Sequence, residues 1–377
     1  MLTLHGAFLS PVGTIQEGVI HIRDGQIAAV RPGPPTSAPD RTVAGVIVPG
    51  FIDLQINGAF GHDFMNEPES VIQVAQRLPA TGVTGFLPTI VAAPLEDYPR
   101  WLQTVTAASA RADGAQVLGL HLEGPFLNPE KKATNRPELL RPPSLDELHA
   151  LLNGFVRLMT LAPELPGALE LVAELRRRGV VAAAGHSMAT YDEAISAFMA
   201  GVNYGTHLGN AMRGLHHREP GLLGALLSSD VPVGLIVDGI HLHPEMVRLV
   251  YRLKGATGIT LVTDAIAALG MPPGRYPLGR QMVTVDDRSA RLEDGVTLAG
   301  AILSMNTAVK NVMAFTDCTL FEAVLMASRT PARVLGLARK GEIAPGFDAD
   351  LTVLEADGTI ELTLVGGKIV YDKAESR

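Results

Sequence analysis

Eight short apolar runs punctuate this sequence, and they constrain its fold more than any other feature. They occupy residues 45–57, 82–90, 117–126, 157–164, 180–187, 203–210, 231–241 and 259–265. Most are apolar on successive residues, so they have no polar face to turn to water. A strand of that kind is buried on both sides. Between the runs lie amphipathic segments at helical spacing, among them residues 167–179, 190–201 and 244–255. Buried strands alternating with helices indicate a parallel sheet covered by helices. Eight such units favour a (β/α)8 TIM-type barrel over an open doubly wound α/β sheet. No glycine-rich phosphate loop opens the first helix, which counts against a nucleotide-binding fold.

The two ends of the chain read differently. Residues 2–31 alternate apolar and polar side chains around Asp24-Gly25, a hairpin signal. Residues 348–371 do the same, with turn signals at Asp357-Gly358 and Gly366-Gly367. Two β-rich ends flanking a long middle imply a small β-sandwich domain built from both termini. The expected division is residues 1–45 with 340–377 for the small domain, and 46–339 for the barrel. A β insertion is expected near 276–298, and residues 304–316 return to helix.

Charge and cysteine usage narrow the function. The net charge is −8 with no basic run, which argues against nucleic acid as a partner. An acidic chain that takes an anionic small molecule must do so through a local basic pocket. The single cysteine, Cys318, rules out an internal disulfide and a cysteine-based zinc site. No apolar run reaches the roughly 18 residues of a membrane helix, and the opening residues lack a signal-peptide pattern. A cytoplasmic protein without a membrane partner is the expectation.

In a barrel, the C-terminal ends of all strands converge on one mouth. Gln55 and Asn57 end the first run, Glu123 the third, His186 the fifth, His207 the sixth, His241 the seventh and Asp264 the eighth. Each alone has an ordinary explanation: a hydrogen-bonded histidine, an N-capping aspartate, an Asn-Gly turn. Five ionisable residues at the same end of five strands do not. His186, His207 and Glu123 would supply N, N and O to a divalent metal such as zinc or ferrous iron, leaving a position for water. The metal would lower the pKa of that water to roughly 7. Asp264 is placed to accept its proton and deliver it to a leaving group. His241 is placed to polarise a carbonyl or stabilise an oxyanion.

The segments PGFIDLQING, HLEGPF, GHS, GTHLGNAM, REPGLLGA, VDGIHLHPE and LVTDAIA occur here in one order. That order resembles the N-acetylglucosamine-6-phosphate deacetylases of the amidohydrolase superfamily, and the likeness covers roughly residues 2–371. Many metal-dependent hydrolases open their site with His-x-His where this chain has Gln55 and Asn57. The replacement is similar to a branch of the family associated with a single metal, which implies one ion per subunit and a role for Gln55 through water. The resemblance implies removal of acetate from a phosphorylated amino sugar. It places Arg218 on the phosphate of a neighbouring subunit in a homodimer, with Asn210 and Ala211 near the phosphate. It places His241 on the acetyl carbonyl or sugar, and Asp264 as general acid and base. The chain departs from the family in the loop after HLEGP, where a substrate-touching histidine is replaced by Asn135. That departure leaves open a related N-acyl amino sugar or a dipeptide as substrate. A non-catalytic barrel is the alternative of a different class.

Overall fold

A computed structural model describes residues 1–375. Eight parallel strands line up in chain order: Phe51–Ile56, Val83–Val91, Leu120–Glu123, Val156–Leu161, Val181–Ala184, Tyr204–Gly205, Val233–Leu235 and Ile259–Leu261. The first six positions of this barrel, Phe51–Ile56, are buried without exception, as a strand covered on both faces must be. The last strands are short. The sixth and seventh runs leave the sheet early, and their remaining residues cross the barrel mouth instead of extending its wall.

The amphipathic segments form helices over Ala168–Arg177, Tyr191–Ala200 and Pro244–Lys254, packed outside the sheet. The second of these begins with a capping box. Thr190 accepts from the Glu193 amide, and Glu193 bonds back to Thr190. Met305–Thr316 is helical as expected.

A buried carboxylate closes the barrel between its first and last strands. Asp53 Oδ2 accepts from Thr263 Oγ1 at 2.5 Å, and its Oδ1 accepts from the amides of Thr263 and Gln55. Just above, the Asp264 amide donates to the Gln55 carbonyl at 2.9 Å and the Asn57 amide to that of Ala265 at 2.7 Å. Burial pushes the Asp53 carboxyl up to about 7, against the pull of these donors.

Both chain ends enter one seven-stranded sheet. Its order runs Lys368–Asp372, Ile360–Val365, Leu351–Leu354, Arg41–Pro49, Leu2–Leu9, Ile15–Arg23, Gln26–Pro32. Asp24 and Gly25 both have positive φ, 51° and 78°, the primed hairpin turn that Asp-Gly favours. The sheet has its own core, including Leu4, Ile20, Ile47, Leu351 and Leu362. A separate three-stranded antiparallel unit, Gly274–Leu278, Gln281–Val285 and Ala290–Arg291, rises beyond the last barrel strand beside the mouth. Among the described residues, no helix is long and apolar enough to cross a membrane.

Asp53→Ala should cost about 3 kcal/mol, because it strands buried donors of Thr263 and Gln55. Denaturant unfolding with an unchanged m-value is the check.

Candidate metal centre

The site is carried by strand ends and by the loops just beyond them. Glu123 is the last residue of the third strand. His186 and His207 each stand two residues past their strands, and Asp264 three past its own. At these last three the backbone turns left-handed, with φ of 48°, 28° and 48°. Among the described residues eight non-glycine positions have positive φ, and five of them (Ala133, His186, His207, Ala211 and Asp264) line a single cavity. Such conformations are costly for residues with a Cβ, so surrounding bonds must hold them.

The cavity has a volume of about 170 Å³. In it, His186 Nε2 lies 3.0 Å from Glu123 Oε1 and 3.1 Å from His207 Nε2. His207 Nε2 is 3.7 Å from Glu123 Oε2. All three side chains are buried, and their ligand atoms lie within 4.8 Å of one another. The donor chemistry fits a cation. His186 Nδ1 meets the Lys131 carbonyl at 2.8 Å. A carbonyl only accepts, so Nδ1 carries a proton, and once Nε2 is deprotonated the ring would present its lone pair there. That lone pair, the second imidazole and a carboxylate oxygen point at one place. His207 Nδ1 is buried with no partner among the described residues. Two nitrogens and an oxygen, without sulfur, suit zinc or ferrous iron.

The electrostatics agree. Burial works to raise the Glu123 carboxyl, yet the two adjacent imidazoles outweigh it and hold the group near 2. Burial pushes His207 down to about 4, so its ring is neutral at neutral pH. Burial lowers His186 as well, but Glu123 and the Lys131 carbonyl raise it more, and the net direction is upward. Asp264 is pushed up to about 7 by burial and by the charge of Glu123.

Gln55 and Asn57 serve these carboxylates directly. Gln55 Nε2 donates to Glu123 Oε2 at 2.5 Å and to Asp264 Oδ1 at 3.2 Å. Asn57 Nδ2 donates to the same Asp264 oxygen at 2.7 Å. An amide nitrogen has no lone pair to offer a metal. Among the described residues, Glu123, His186 and His207 make the one cluster suited to a metal ion. Gln55 therefore ties a candidate ligand to a candidate base.

His241, Asn210 and Ala211 also line the cavity. His241 does not end its strand: the seventh strand stops at Leu235, and the following residues carry the imidazole over the mouth. Its Nδ1 is 2.6 Å from Asp238 Oδ2. Asp238 Oδ1 also accepts from the Ile240 and His241 amides at 2.8 Å. Asp238 was not singled out from the sequence, where an aspartate three residues before a histidine in an irregular loop carries no periodic signal.

Gln55 reaches the site through its bonds without lining the cavity, Asn135 is not brought into it, and Arg218, expected at a neighbouring subunit's site, lies outside it. Arg218 is exposed, and its Nη1 lies 2.9 Å from His217 Nε2. Asn135 is buried at 4% exposure and does not line the cavity. Its Oδ1 accepts from the Ala92 amide at 3.1 Å and its Nδ2 donates to the Lys132 carbonyl at 3.1 Å. The placement expected for Asn135 is thus corrected: both ends of its amide are spent on backbone, and its neighbours Ala133 and Thr134 face the mouth instead.

A model of the amidohydrolase family matches residues 46–370. An N-acetylglucosamine-6-phosphate deacetylase of Bos taurus is 40% identical over 348 residues, covering 88% of this chain and 85% of that one. The chain belongs to the amidohydrolases and, within them, to the N-acetylglucosamine-6-phosphate deacetylase family. A solved deacetylase of this family from Thermotoga maritima superposes with a TM-score of 0.90 at 38% identity, covering 97% of this chain and 98% of that one. A mutant of the Mycobacterium smegmatis deacetylase, solved with N-acetyl-D-glucosamine-6-phosphate, superposes at 0.92 with 34% identity, covering 98% and 99%.

His186→Ala should abolish stoichiometric metal uptake in a protein that still folds, read by elemental analysis. In the parent, metal affinity should fall on acidification, since a proton on His186 competes with the cation. Calorimetry in buffers of different ionisation enthalpy should record proton release on binding.

Proposed function

We propose that this chain removes acetate from N-acetylglucosamine 6-phosphate, giving glucosamine 6-phosphate, with one divalent ion per subunit held by Glu123, His186 and His207. One observation carries the proposal. The buried Glu–His–His cluster shares its cavity with Asp264 in a chain that belongs to the deacetylase family. Zinc or ferrous iron there supplies Lewis acidity, which makes water nucleophilic at neutral pH.

The chain's own residues supply the rest. Gln55 and Asn57 both hold Asp264 Oδ1, and no protein hydrogen bond to Oδ2 occurs among the described residues. Oδ2 is then the atom that takes a proton from the attacking water and passes it to the leaving nitrogen. A carboxyl pushed up to about 7 can both accept and return a proton near neutrality. Asp238 occupies His241 Nδ1, so Nε2 is the nitrogen left to meet the acetyl oxygen or the sugar.

The phosphate requires a cation that this cavity lacks. Neither lysine nor arginine lines it among the described residues. The partner subunit's Arg218 fills that need in a homodimer, where a guanidinium can grip two phosphate oxygens at once. Asn210 and Ala211 then lie against the phosphate. A phosphorylated substrate fits work in the cytoplasm.

Asp264→Asn should retain metal and lose at least about 100-fold in kcat, measured as acetate release. Arg218→Ala should raise KM for the phosphorylated substrate while leaving its unphosphorylated counterpart unaffected. Hybrids of the two variants should recover activity, because each mixed dimer rebuilds one complete site from Asp264 of one subunit and Arg218 of the other. At substrate concentrations well below the KM of Arg218→Ala, mixed samples no more active than the average of the two parent variants would refute the shared site.

A further inference from the structure

We propose that Glu164 is a positioning residue that holds His186 in its metal-ligating conformation. The inference rests on the reading of Glu123, His186 and His207 as a metal centre. Glu164 stands three residues past the fourth strand and does not line the cavity. Its Oε1 accepts from the Met188 amide at 2.6 Å and from Asn128 Nδ2 at 2.9 Å. Its Oε2 accepts from Ser187 Oγ at 2.7 Å.

These partners enclose His186. Ser187 and Met188 are the two residues that follow it. Asn128 lies in the loop after Glu123, and its own amide donates to the His186 carbonyl at 3.0 Å. One carboxylate thereby closes a ring of hydrogen bonds around the peptide unit at which His186 turns with a φ of 48°. A histidine in that conformation needs outside bonds to keep it there. The brace reaches the neighbouring ligand loop too. The Ser187 amide donates to the Ala211 carbonyl at 3.1 Å, and the Ser187 carbonyl accepts from the Arg213 amide at 2.9 Å. Glu164 therefore joins the loops after Glu123, after His186 and after His207.

Among the described residues Glu164 has no salt-bridge partner. Its three partners are neutral donors, and a charged acceptor makes the strongest bonds to such groups. A glutamine can reproduce most of the arrangement. Its oxygen accepts from Met188, and its amide group donates to Ser187 Oγ, which is free to rotate. Alanine reproduces none of it.

The test is the metal dissociation constant of Glu164→Ala, Glu164→Gln and His186→Ala, by competition with a chromophoric chelator using zinc. The thermal midpoint of each metal-free protein is recorded alongside. Glu164→Ala should weaken zinc binding about 10- to 100-fold, while Glu164→Gln should stay within about threefold of the parent. An unchanged affinity in folded Glu164→Ala overturns the proposal, whatever its thermal midpoint, and leaves Glu164 a loop staple. Glu164→Gln as weak as Glu164→Ala also overturns it, because charge and not position would then be responsible. If Glu164→Ala does not fold, Ser187→Ala replaces it, with an expected weakening of roughly three- to tenfold and no change as the overturning result. Undiminished binding by His186→Ala sinks the metal-centre reading itself, an outcome distinct from those of the Glu164 variants.

Discussion

A buried carboxylate facing two imidazoles is the constraint on which the rest of the mouth depends. Glu123 is ionised because His186 and His207 stand beside it, and the imidazoles present nitrogen to it because their other atoms are spent or enclosed. Taken alone, such a cluster concentrates electron density out of reach of water, which is costly. A cation converts the cost into an attraction. Around it the chain supplies only neutral bonds, from Gln55 on one side and the Lys131 carbonyl on the other. The formal charge of the centre is therefore left for the ion to set.

The barrel makes that cluster attainable. Glu123 ends one strand while His186 and His207 stand just beyond two others, and no local segment could bring them together. Closure through Asp53 and Thr263 fixes the first strand against the last. The same seam delivers Gln55, Asn57 and Asp264 to the mouth in register, since the Asp264 amide bonds the Gln55 carbonyl. The positive φ values gathered at the strand ends are the local expense of aiming these side chains inward, and the bonds between loops hold them there.

Much of this was legible in the sequence, for definite reasons. Strands buried on both faces leave no polar alternation, so all eight stood out. Glu123, His186 and His207 were visible because each follows an apolar run that has no other use for a charge. The roles of Asn135 and Asp238 were not visible. Asn135 lies in the loop where the family has a histidine, but whether an amide faces a cavity or the backbone depends on the path of the loop. Here the Ala92 amide and the Lys132 carbonyl decide it. Asp238 acts through contact with His241, and a contact three residues apart in an irregular loop has no periodicity to announce it. The length of the sixth and seventh strands was also beyond reach, because an apolar run reads alike whether it is strand or the buried start of a loop.

The sheet that unites both chain ends bears on how the protein is made. Val48 in Arg41–Pro49 pairs with Thr352, and Ile47 with Val353, near the far end of the sequence. During synthesis the barrel segments emerge first, and that edge of the amino-terminal strands waits for nearly the whole chain before it meets its neighbour. An open β edge invites pairing with the wrong chain, and contacts this distant form slowly. Leu351–Leu354 is thus the piece that seals against Arg41–Pro49, and it is synthesised only after every strand of the barrel.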